Sequence, residues 1–308
     1  MTTPVLSIII VSWNVAGDLE RCLRSIQTAP KPTTEIIVVD ACSADDTVAV
    51  VHDRFPDVTL LAQTENVGFT KGNNIGLRAA RGCYLLLLNP DTEIVGDALL
   101  RLIDVMEAHP QVGVAGAHTL NTDGTYQSTR RHFPTLKSEL IESLWFAPYL
   151  KKLPSHFPLN QPNCDSTHRV DWVQGSSMLA RRAVYEQIGG LDESFFMFSE
   201  EVDWCKRATD AGWQIMYVGT ATIIHHGGRS TEQTGARTHI YYQTSKISYF
   251  RKHYGALSAG LLRVYILANY AIQIIIETVK SALGHKSAMR QERIKCYRDV
   301  LRSGLRAL

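Results

Sequence analysis

The sequence predicts an α/β protein built on a doubly wound, mostly parallel sheet, with a helical extension at its C-terminal end. Short runs rich in β-branched residues alternate with segments of helical periodicity, at the spacing of βαβ units. Four consecutive leucines at 85–88 show no polar alternation, so both faces of their strand should be buried between helices. From His239 onward the pattern is helical.

The predicted strands and helices follow one another along the chain. Apolar, β-branched runs predict strands at 5–12, 35–40, 58–61, 85–88, 112–116 and 215–218. Apolar periodicity predicts helices at 18–26, 98–106 and 181–188, and another that begins at Asp45 or Asp46 with Val48, Val51 and Phe55 on its apolar face. Residues 130–168 are irregular and contain several prolines, which leaves open a short helix pair or a mobile lid.

The leucines at 85–88 also fit a helix segment when they are considered alone. Asn89-Pro90 directly after them argues against helix continuation, because proline lacks an amide hydrogen and clashes with the preceding turn. Asp91 would then lie just past the carboxyl end of a central strand, where open α/β sheets bind ligands. A carboxylate there can bind a divalent cation that bridges phosphate oxygens; the alternative is a cap on a βα turn.

Charge is distributed unevenly along the chain. The formal net charge is +2, but the segment from Lys280 to the end holds eight Lys or Arg and two Asp or Glu, a local net charge of +6. Such an asymmetry predicts a tail with an electrostatic partner of its own. The six cysteines are scattered and form no Cys-x-x-Cys pair, which favours reduced thiols in the cytoplasm and gives no zinc signal. The first residues lack a basic, apolar leader, so we expect no secretory signal.

A turn rich in glycine and asparagine at 65–76 leads into a predicted helix. Glycines such as Gly68 allow close backbone approach, and the side chains of Asn66 and Asn74 can pair with a base, a ribose or a phosphate. The spacing is not that of the dinucleotide-binding fingerprint, and the turn does not follow the first strand. A plain glycine-rich connection is the alternative.

Acidic residues cluster after a possible cap, Ser199. Glu200, Glu201 and Asp203 would occupy the first turn of a helix, where the macrodipole favours negative charge whether or not the residues are functional. The functional interpretation is a general base, since a helix N-terminus favours the ionised form that a base requires. His225, followed by His226 and two glycines at a strand end, is a candidate for completing a metal site begun by a carboxylate.

The joint order of these segments resembles the family 2 inverting glycosyltransferases of the GT-A fold, in particular the bacterial rhamnosyltransferase-like branch. The matching stretches are 7–14, 37–40 with Ser43 and Asp45, 66–69 with 72–74, 89–91, Gly175, 190–193, 195–203, and His225 with Ser230. They span about residues 5 to 230. The resemblance implies a catalytic domain over residues 1–235 and a basic helical extension over 236–308.

The resemblance also implies roles for individual residues. Donor binding falls to Val11, Trp13, Asp40, Asn66, Gly68, Asn74 and Asp91. Metal binding, to Mg²⁺ or Mn²⁺, falls to Asp91 and His225. Glu201 matches the position of the catalytic base, which is usually Asp, and Glu200 and Asp203 are its rivals. Gly175 and Asp192 would lie on the acceptor side. Asn89 stands where the family usually has the first acid of its Asp-x-Asp motif, which leaves one fewer charge on the metal.

The implied reaction follows from charge. A divalent cation on Asp91 would neutralise charge that develops on the departing nucleoside diphosphate. Glu201 would take the proton from an acceptor hydroxyl as it attacks the anomeric carbon from the opposite face, and a single displacement would invert the configuration. The expected donor is dTDP-rhamnose, and the expected acceptor is a glycan or a polyprenyl-linked glycan.

The C-terminal extension predicts a further partner. Residues 261–279 are strongly apolar but carry Asn269, Gln273 and Glu277 at spacings of four, which form one polar stripe on a helix. The span is marginal for crossing a membrane. An amphipathic helix beside a basic tail suits the anionic inner face of the plasma membrane, and we expect a cytoplasmic, peripheral protein. A helix hairpin packed on the domain or forming a homo-oligomer is the alternative.

Other functions are weighed against the sequence. A nucleotidyltransferase would need a glycine-rich, basic phosphate loop after the first strand, and residues 13–17 lack one. A UDP-hexose donor, or a scaffold that binds nucleotide sugar without turnover, stays open. A nucleic-acid binder is disfavoured, because the basic residues of the tail have no interleaved aromatic residues for stacking.

Overall fold

The computed structural model describes residues 3–127, 130–142, 166–227, 236–284 and 286–306. These residues form two compact units. The first unit contains the described residues up to Phe133 together with 166–196 and 200–227. The second contains 134–142, 197–199 and the residues from 236 onward, so it includes two short segments that the sequence analysis assigned to the first domain.

The first unit is an α/β sandwich around one large sheet. Its strands are β1 Leu6–Ser12, β2 Thr34–Asp40, β3 Thr59–Ala62, β4 Tyr84–Leu88, β5 Thr92–Ile94, β6 Val112–Leu120, β7 Tyr126–Gln127, β8 Arg130–Arg131, β9 His168–Val170, β10 Trp172–Val173, β11 Ser177–Arg181 and β12 Gln214–His225. Its helices are α1 Ala16–Thr28, α2 Thr47–Arg54, α3 Gly68–Ala79, α4 Ala98–Ala108, α6 Arg182–Ile188 and α7 Glu200–Asp210. The order in the sheet is β3-β2-β1-β4-β11-β6-β12-β5.

Strand direction confirms the mixed, mostly parallel α/β class. β1 runs parallel to both β2 and β4, and β6 runs parallel to β12, whereas β11 is inserted antiparallel between β4 and β6. The leucine run is therefore a strand and not a helix. The register pairs Ser12 with Asp40 and Ile10 with Leu88, which brings the carboxyl ends of β1, β2 and β4 to the same edge of the sheet.

The leucine strand is buried on both faces, as its lack of alternation predicts. Leu86 and Leu88 belong to the core cluster that includes residues of α1, α2 and α4. Leu85 and Leu87 belong to the opposite cluster, which includes residues of α3, α6 and α7. Each leucine is at most 2% exposed. Since the helices cover both faces, polar ligands can reach the central strands at their ends.

Some sequence expectations differ from the structure in detail. Val48 was expected on the buried face of α2, but it is 37% exposed, while Val51 and Phe55 are buried. Thr47 is buried in place of Val48, so the buried face of the helix is rotated relative to the predicted one. Within the irregular stretch at 130–168, the structure describes β8, β9 and the helix α5 Leu136–Glu142; residues 143–165, and with them most of the lid or helix-pair question, lie outside the described residues.

The second unit consists of helices. They are α5, α8 Ala236–Ala282 and α9 Ser287–Ser303. α8 is interrupted at Gly255, which has a φ of +85°, so two helical segments meet there at a kink. Lys246 and Glu139 form an ion pair of 2.5 Å between α8 and α5, and Arg290 and Glu277 form a buried one of 2.6 Å between α9 and α8. Burial lowers the pKa of Lys246, but its interactions with Tyr242 and with the Glu139 carboxylate outweigh it, so the pKa is raised.

Candidate active site

The ends of β1 and β2 present two buried polar groups at the same edge. Asp40 is 1% exposed, and its Oδ2 accepts a 2.9 Å hydrogen bond from the Ser43 amide. Its other oxygen, Oδ1, and the Ser12 hydroxyl are buried without a hydrogen-bond partner among the described residues. Buried polar atoms are almost always satisfied, so an orphaned pair at a strand end indicates a place where a ligand binds.

The loops that follow β1 and β2 are hydrogen-bonded to each other. The Asn14 amide donates to Ser43 Oγ at 2.9 Å, and the Ala44 amide donates to Asn14 Oδ1 at 2.7 Å. The Ala16 amide donates to Asp45 Oδ2 at 3.0 Å. Burial raises the pKa of Asp45, but hydrogen bonds from Thr47 and from the Ala16 amide outweigh it, so the pKa is lowered. Trp13, half-buried, is thus held on a braced loop beside Asp40.

The start of α3 lies close to the chain near residue 196. Asn66 Oδ1 accepts a 2.9 Å hydrogen bond from the Gly68 amide, an Asx turn that begins the helix. Gly68 has a φ of +75°, and a Cβ on it would lie 2.6 Å from the Phe196 ring. A Cβ on Gly72 would likewise lie 2.8 Å from Val11 Cγ1. The Val11 side chain therefore belongs to the core, and any contact it makes with a nucleoside must come from its backbone.

Asn74, expected along the nucleotide, is committed to the protein instead. Its Nδ2 donates to the Leu191 carbonyl at 2.8 Å and to Glu193 Oε1 at 2.9 Å, and its Oδ1 accepts from the Leu191 amide at 2.9 Å. The side chain is 7% exposed. Asn74 thus fastens the 190–193 loop to α3, and its amide has no donor hydrogen left for a phosphate. The sequence expectation for this residue is replaced by a positioning role.

Asp91 and His225 meet at the carboxyl end of β4. Asp91 Oδ1 lies 3.2 Å from His225 Nε2, and the residues are 6% and 7% exposed. His225 is the last residue of β12, which pairs with β5 directly after Asp91. The His226 amide donates to the Asp91 carbonyl at 2.9 Å, which fixes the two strand ends together. Two residues 134 positions apart in the chain are therefore neighbours in the site.

Gln127 forms a hydrogen bond with the His225 ring that determines which ring nitrogen faces Asp91. Gln127 Nε2 donates to Asn121 Oδ1 at 3.0 Å, which leaves Gln127 Oε1 to accept from His225 Nδ1 at 2.7 Å. With its proton on Nδ1, a neutral imidazole points the Nε2 lone pair at a carboxylate oxygen 3.2 Å away. Two acceptors repel at this distance unless a cation or a proton lies between them. An ion pair between Asp91 and a protonated imidazole satisfies this geometry, and so does a divalent cation that both residues hold.

The described residues contain no group of three or more His, Cys, Asp or Glu side chains that would enclose a metal. Two protein ligands suit Mg²⁺ or Mn²⁺ when the ligand's own phosphate oxygens complete the coordination, as is common in phosphate-handling sites. Asn89, in place of an acid, has its Nδ2 3.4 Å from His225 Nε2, while its Oδ1 is buried without a partner in the described part of the chain. An amide oxygen there is a neutral candidate ligand.

The three acidic residues of the cluster lie in the first turn of α7, and each has a different environment. Glu200 is 5% exposed, and burial, reinforced by the charge of Glu201, raises its pKa well above the ordinary value. Asp203 is fully buried and bonds to Arg207 at 2.8 Å; Arg207 in turn donates to the carbonyls of Ile188 and Gly190, each at 2.6 Å. Glu201 is half-buried, and a Cβ on Gly175 would lie 3.6 Å from its Cβ.

A short segment connects Glu201 with Asp91. Gly175 adjoins Glu201, and the next residue, Ser176, accepts a 3.0 Å hydrogen bond from the Asn89 amide through its carbonyl. The hydroxyls of Ser176 and Ser177 are buried and unpartnered within the described chain, like the Ser12 hydroxyl and Asp40 Oδ1 at the ends of β1 and β2. Glu201 and Asn89, which lies two residues before Asp91, therefore both contact the 175–176 segment.

Comparison with known proteins identifies the family. The profile described as "Glycosyl transferase family 2" matches residues 7–204. That span covers more than half of the chain. The chain belongs to glycosyl transferase family 2.

Among the relatives of this glycosyltransferase are proteins named rhamnosyltransferases, which confirms the rhamnosyltransferase-like branch. An N-acetylglucosaminyl-diphospho-decaprenol L-rhamnosyltransferase of Mycobacterium tuberculosis is 28% identical over 273 residues, which cover 84% of this chain and 88% of the relative. Rhamnosyltransferase WbbL of Escherichia coli K12 is 30% identical over 184 residues, 56% of this chain and 67% of the relative.

Solved structures confirm the GT-A-type fold. A mannosyltransferase from Pyrobaculum calidifontis, in complex with GDP-Man and Mn²⁺, matches with a TM-score of 0.58 at 16% identity, over 98% of this chain and 88% of that chain. Staphylococcus aureus TarS, residues 1–349, matches with a TM-score of 0.53, also at 16% identity, over 97% and 90%. At these identities the likeness concerns the fold.

Some site residues of the glycosyltransferase could not have been found in its sequence. Gln127 follows a tight turn and shares no motif with His225, and Ser176 and Ser177 look like ordinary strand residues. Their proximity to the site arises only when β11 is inserted next to β4 and β7 pairs with β6. Asp192, in contrast, was expected on the acceptor side; its Oδ1 accepts from the Ser194 amide at 2.9 Å and shapes the turn that leads to Phe195.

Proposed function

We propose that this glycosyltransferase is a metal-dependent, inverting enzyme that moves rhamnose from dTDP-rhamnose to a hydroxyl of a polyprenyl-diphosphate-linked glycan in cell-surface polysaccharide synthesis. One observation supports the mechanism: the 175–176 segment contacts both Glu201 and Asn89, and Asn89 is two residues from Asp91, which pairs with His225. The relatives support the sugar and the acceptor class, since one is named N-acetylglucosaminyl-diphospho-decaprenol L-rhamnosyltransferase, and the dTDP carrier is part of the proposal.

The nucleoside end of the donor is assigned to β1 and β2. Asp40 Oδ1 and the Ser12 hydroxyl provide two buried polar atoms at this end, and Trp13 offers a half-buried ring on the braced loop. A carboxylate with one free oxygen accepts hydrogen bonds from a ribose hydroxyl or a base N–H. Asn66 and Gly68, at the start of α3, provide backbone close to the phosphates.

The diphosphate end is assigned to Asp91 and His225. A bound Mg²⁺ or Mn²⁺ would offset the negative charge that develops on the leaving nucleoside diphosphate. Gln127 keeps the proton of His225 on Nδ1, so that Nε2 is available as a ligand. Since Asp91 and His225 are both buried, their side chains have few alternative rotamers, which keeps the pair preorganised.

Glu201 is the proposed catalytic base. It accepts the proton of the acceptor hydroxyl while that oxygen forms its bond to the anomeric carbon, and the bond from this carbon to the diphosphate oxygen breaks on the opposite face. This single displacement inverts the configuration at the anomeric carbon and needs no covalent enzyme intermediate. Of the rivals, Asp203 is occupied by Arg207, and buried Glu200 favours its neutral form. Glu201 combines partial exposure with proximity to Gly175.

A donor screen tests this proposal. The purified protein is given dTDP-rhamnose, UDP-hexoses or GDP-mannose with a polyprenyl-diphosphate-N-acetylglucosamine acceptor, with and without Mg²⁺ or Mn²⁺, and release of the nucleotide is measured. We expect turnover with dTDP-rhamnose that is lost on chelation. Turnover with a UDP-hexose instead would replace the donor assignment. Tight donor binding without turnover under every condition would favour the alternative function, a nucleotide-sugar-binding scaffold.

The cellular setting of the proposed enzyme follows from its substrates. Nucleotide sugars and lipid-linked glycan precursors meet at the cytoplasmic face of the plasma membrane, so the proposed location is cytoplasmic and peripheral. The catalytic domain is proposed to span residues 1–235 and the basic helical extension 236–308. The alternative is that the surface of this extension forms a homo-oligomer.

A further inference from the structure

The C-terminal segment of α8 has an inverted distribution of polarity. After the kink at Gly255, large apolar side chains recur at helical spacing on one side and point into solvent. They are Leu257, Leu261, Val264, Ile272, Ile275 and Val279, with Leu283 just beyond the helix end, and their exposed fractions range from 44% to 79%. We call this row the apolar stripe. At 1.5 Å per residue it extends for about 40 Å.

Polar groups of the same helix lie on the inner side instead. Glu277 is 5% exposed and pairs with Arg290 of α9, which is 7% exposed. Arg263 Nε donates to the Gly304 carbonyl at 2.7 Å. Asn269 and Gln273, which complete the polar row with Glu277, are half-buried. The polar face of α8 is therefore satisfied within the hairpin that it forms with α9, while its apolar face has no cover in the described residues.

A groove of about 690 Å³ runs between the end of α8 and α9, next to the apolar stripe. Its α8 wall holds Thr278 and Ala282, the direct neighbours of Val279 and Leu283 of the stripe. Its α9 wall holds the exposed bases Lys295, Arg298 and Arg302, with Asp299 as the single acid among the residues that line it. Hydroxyl and guanidinium donors thus surround a space large enough for a phosphate headgroup.

We propose that the α8–α9 hairpin docks on an anionic phospholipid bilayer, with the apolar stripe immersed in the interface and the groove holding lipid phosphates. Charge complementarity identifies the partner. The chain from Lys280 onward has a net charge of +6, and basic groups beside an apolar helix face are attracted to anionic lipid over the range of a Debye length. An in-plane helix of this kind keeps its polar face out of the acyl region.

The same observations disfavour the other occupants. One helix of the described residues, Ala236–Ala282, is long and apolar enough to cross a membrane, with a mean hydropathy of 1.6 in an 18-residue window that is 22% buried. Crossing would carry the Glu277–Arg290 pair and the charged α9 into the hydrocarbon. A second copy on the stripe would bring two tails of charge +6 together, which repel each other.

Vesicle flotation of the full-length chain tests the docking surface. Phosphatidylcholine vesicles with none or about 30 mol% of phosphatidylglycerol are compared, since the anionic lipid supplies the surface potential. We expect binding to the anionic vesicles, weakened by salt and released by alkaline carbonate. The assay needs neither donor nor acceptor, so its result is independent of the proposed function.

Two variants separate the parts of the surface. Leu261→Ser with Ile275→Ser removes apolar area at positions that contact solvent, and we expect the partition coefficient to fall about tenfold or more. Lys295→Gln with Arg298→Gln and Arg302→Gln should lower it roughly 100-fold on anionic vesicles and leave neutral vesicles unaffected. The matched controls are Val48→Ser with Val95→Ser, and Arg24→Gln with Arg54→Gln and Arg101→Gln, which change exposed residues of the first unit and should retain binding.

Each other outcome overturns the proposal. Absence of flotation in the unchanged chain would remove the lipid partner. Carbonate-resistant binding would indicate a spanning helix. A dimer in light scattering that dissociates in the Leu261→Ser, Ile275→Ser variant, without lipid binding, would make a second copy the occupant. Equal losses in the variants and their controls would show that the effect is not specific to this surface, and circular dichroism of each variant excludes unfolding as the cause.

Discussion

The two units of this glycosyltransferase solve burial in opposite ways. In the first unit, leucines and isoleucines fill both faces of the sheet, and unsatisfied polar atoms gather at the strand ends. In the C-terminal hairpin, an ion pair lies inside and a row of leucine, isoleucine and valine side chains lies outside. The first unit thus leaves polar atoms at its strand ends without a partner among the described residues, and the hairpin of α8 and α9 leaves a row of apolar side chains exposed.

The largest effect is expected on kcat when Glu201, the proposed base in the first unit, is replaced. Glu201→Gln should lower kcat by about 10² to 10⁴ while donor affinity changes little, because the amide cannot accept the acceptor's proton. Steady-state kinetics and donor titration measure the two quantities. Asp210→Asn, an exposed acid at the other end of α7, is the matched control and should retain activity. Full turnover in Glu201→Gln would assign the base elsewhere.

The interior of the hairpin is tested by breaking its ion pair. Glu277→Ala leaves Arg290 buried without this counter-charge and should cost about 3–5 kcal/mol of unfolding free energy. Glu277→Leu combined with Arg290→Met should recover most of it, since apolar residues of similar volume replace a buried pair well. Denaturant unfolding monitored by circular dichroism measures both. Asp299→Ala, which breaks an exposed pair with Arg302, should cost less than about 1 kcal/mol.

Loss of the hydrogen bond between Gln127 and His225 is expected to have an effect of intermediate size, on metal affinity. Gln127→Leu removes the acceptor for His225 Nδ1 and should weaken Mn²⁺ binding by about 10- to 100-fold. Gln127→Glu keeps an acceptor oxygen and should bind better than the leucine variant. Calorimetry or electron paramagnetic resonance of Mn²⁺ in the presence of nucleoside diphosphate measures the affinity. Unchanged affinity in Gln127→Leu would show that the ring is oriented by other contacts.

The close approach at Gly68 tests how tightly the site is packed. Gly68→Ala places a Cβ 2.6 Å from the Phe196 ring at a φ of +75°, and the cost should be about 1–3 kcal/mol of stability. Gly17→Ala, in α1 with no atom within 4 Å of the added Cβ, should be neutral or stabilising. Thermal unfolding compares the two variants. Equal melting temperatures would mean that the α3 turn adapts freely.

The smallest expected effect is a change in pH dependence. Burial and the Glu201 charge raise the pKa of Glu200, so the folded state holds a proton that the unfolded state loses above about pH 4.3. Stability is therefore fully present below the unfolded pKa and decreases as pH rises toward the folded pKa. Glu200→Gln removes this loss, and its melting temperature relative to the unchanged chain should be higher at pH 8 than at pH 5. A difference that is the same at both pH values would contradict the shift.

The fold and the position of Asp91 just after a central strand follow from the sequence because their signals are local. The leucine run lacks alternation, and Asn-Pro-Asp ends it, so a buried strand with Asp91 at its end is a direct consequence of chain chemistry. The roles of individual side chains were harder to predict, because they depend on residues that are far away in the sequence. Asn74 looked like a nucleotide ligand until its amide was seen to bind the Leu191 backbone, and Gln127 has no sequence signal at all.

The polar row of α8 shows that the orientation of a helix, too, is not determined by its sequence pattern alone. Its periodicity correctly predicted one polar and one apolar face, but an isolated sequence does not tell which face a neighbouring helix will cover. Only the pairing of Glu277 with Arg290 shows that the polar row faces inward. The prediction for Val48 of α2 was wrong for a related reason: the buried face contains Thr47 and Val51, and the sequence pattern did not show which side would be covered.

The mutual bracing of the loops after β1 and β2 has a consequence for engineering donor preference. Each loop supplies hydrogen-bond acceptors for the other, through Ser43, Asn14 and Asp45. A chimera that takes only one loop from a homologue would leave backbone amides of the other loop without their hydrogen-bond acceptors. The proposed nucleobase preference should therefore be transplanted, and inherited, with both loops together, while Asp91 and His225, the proposed cation ligands, stay with the host.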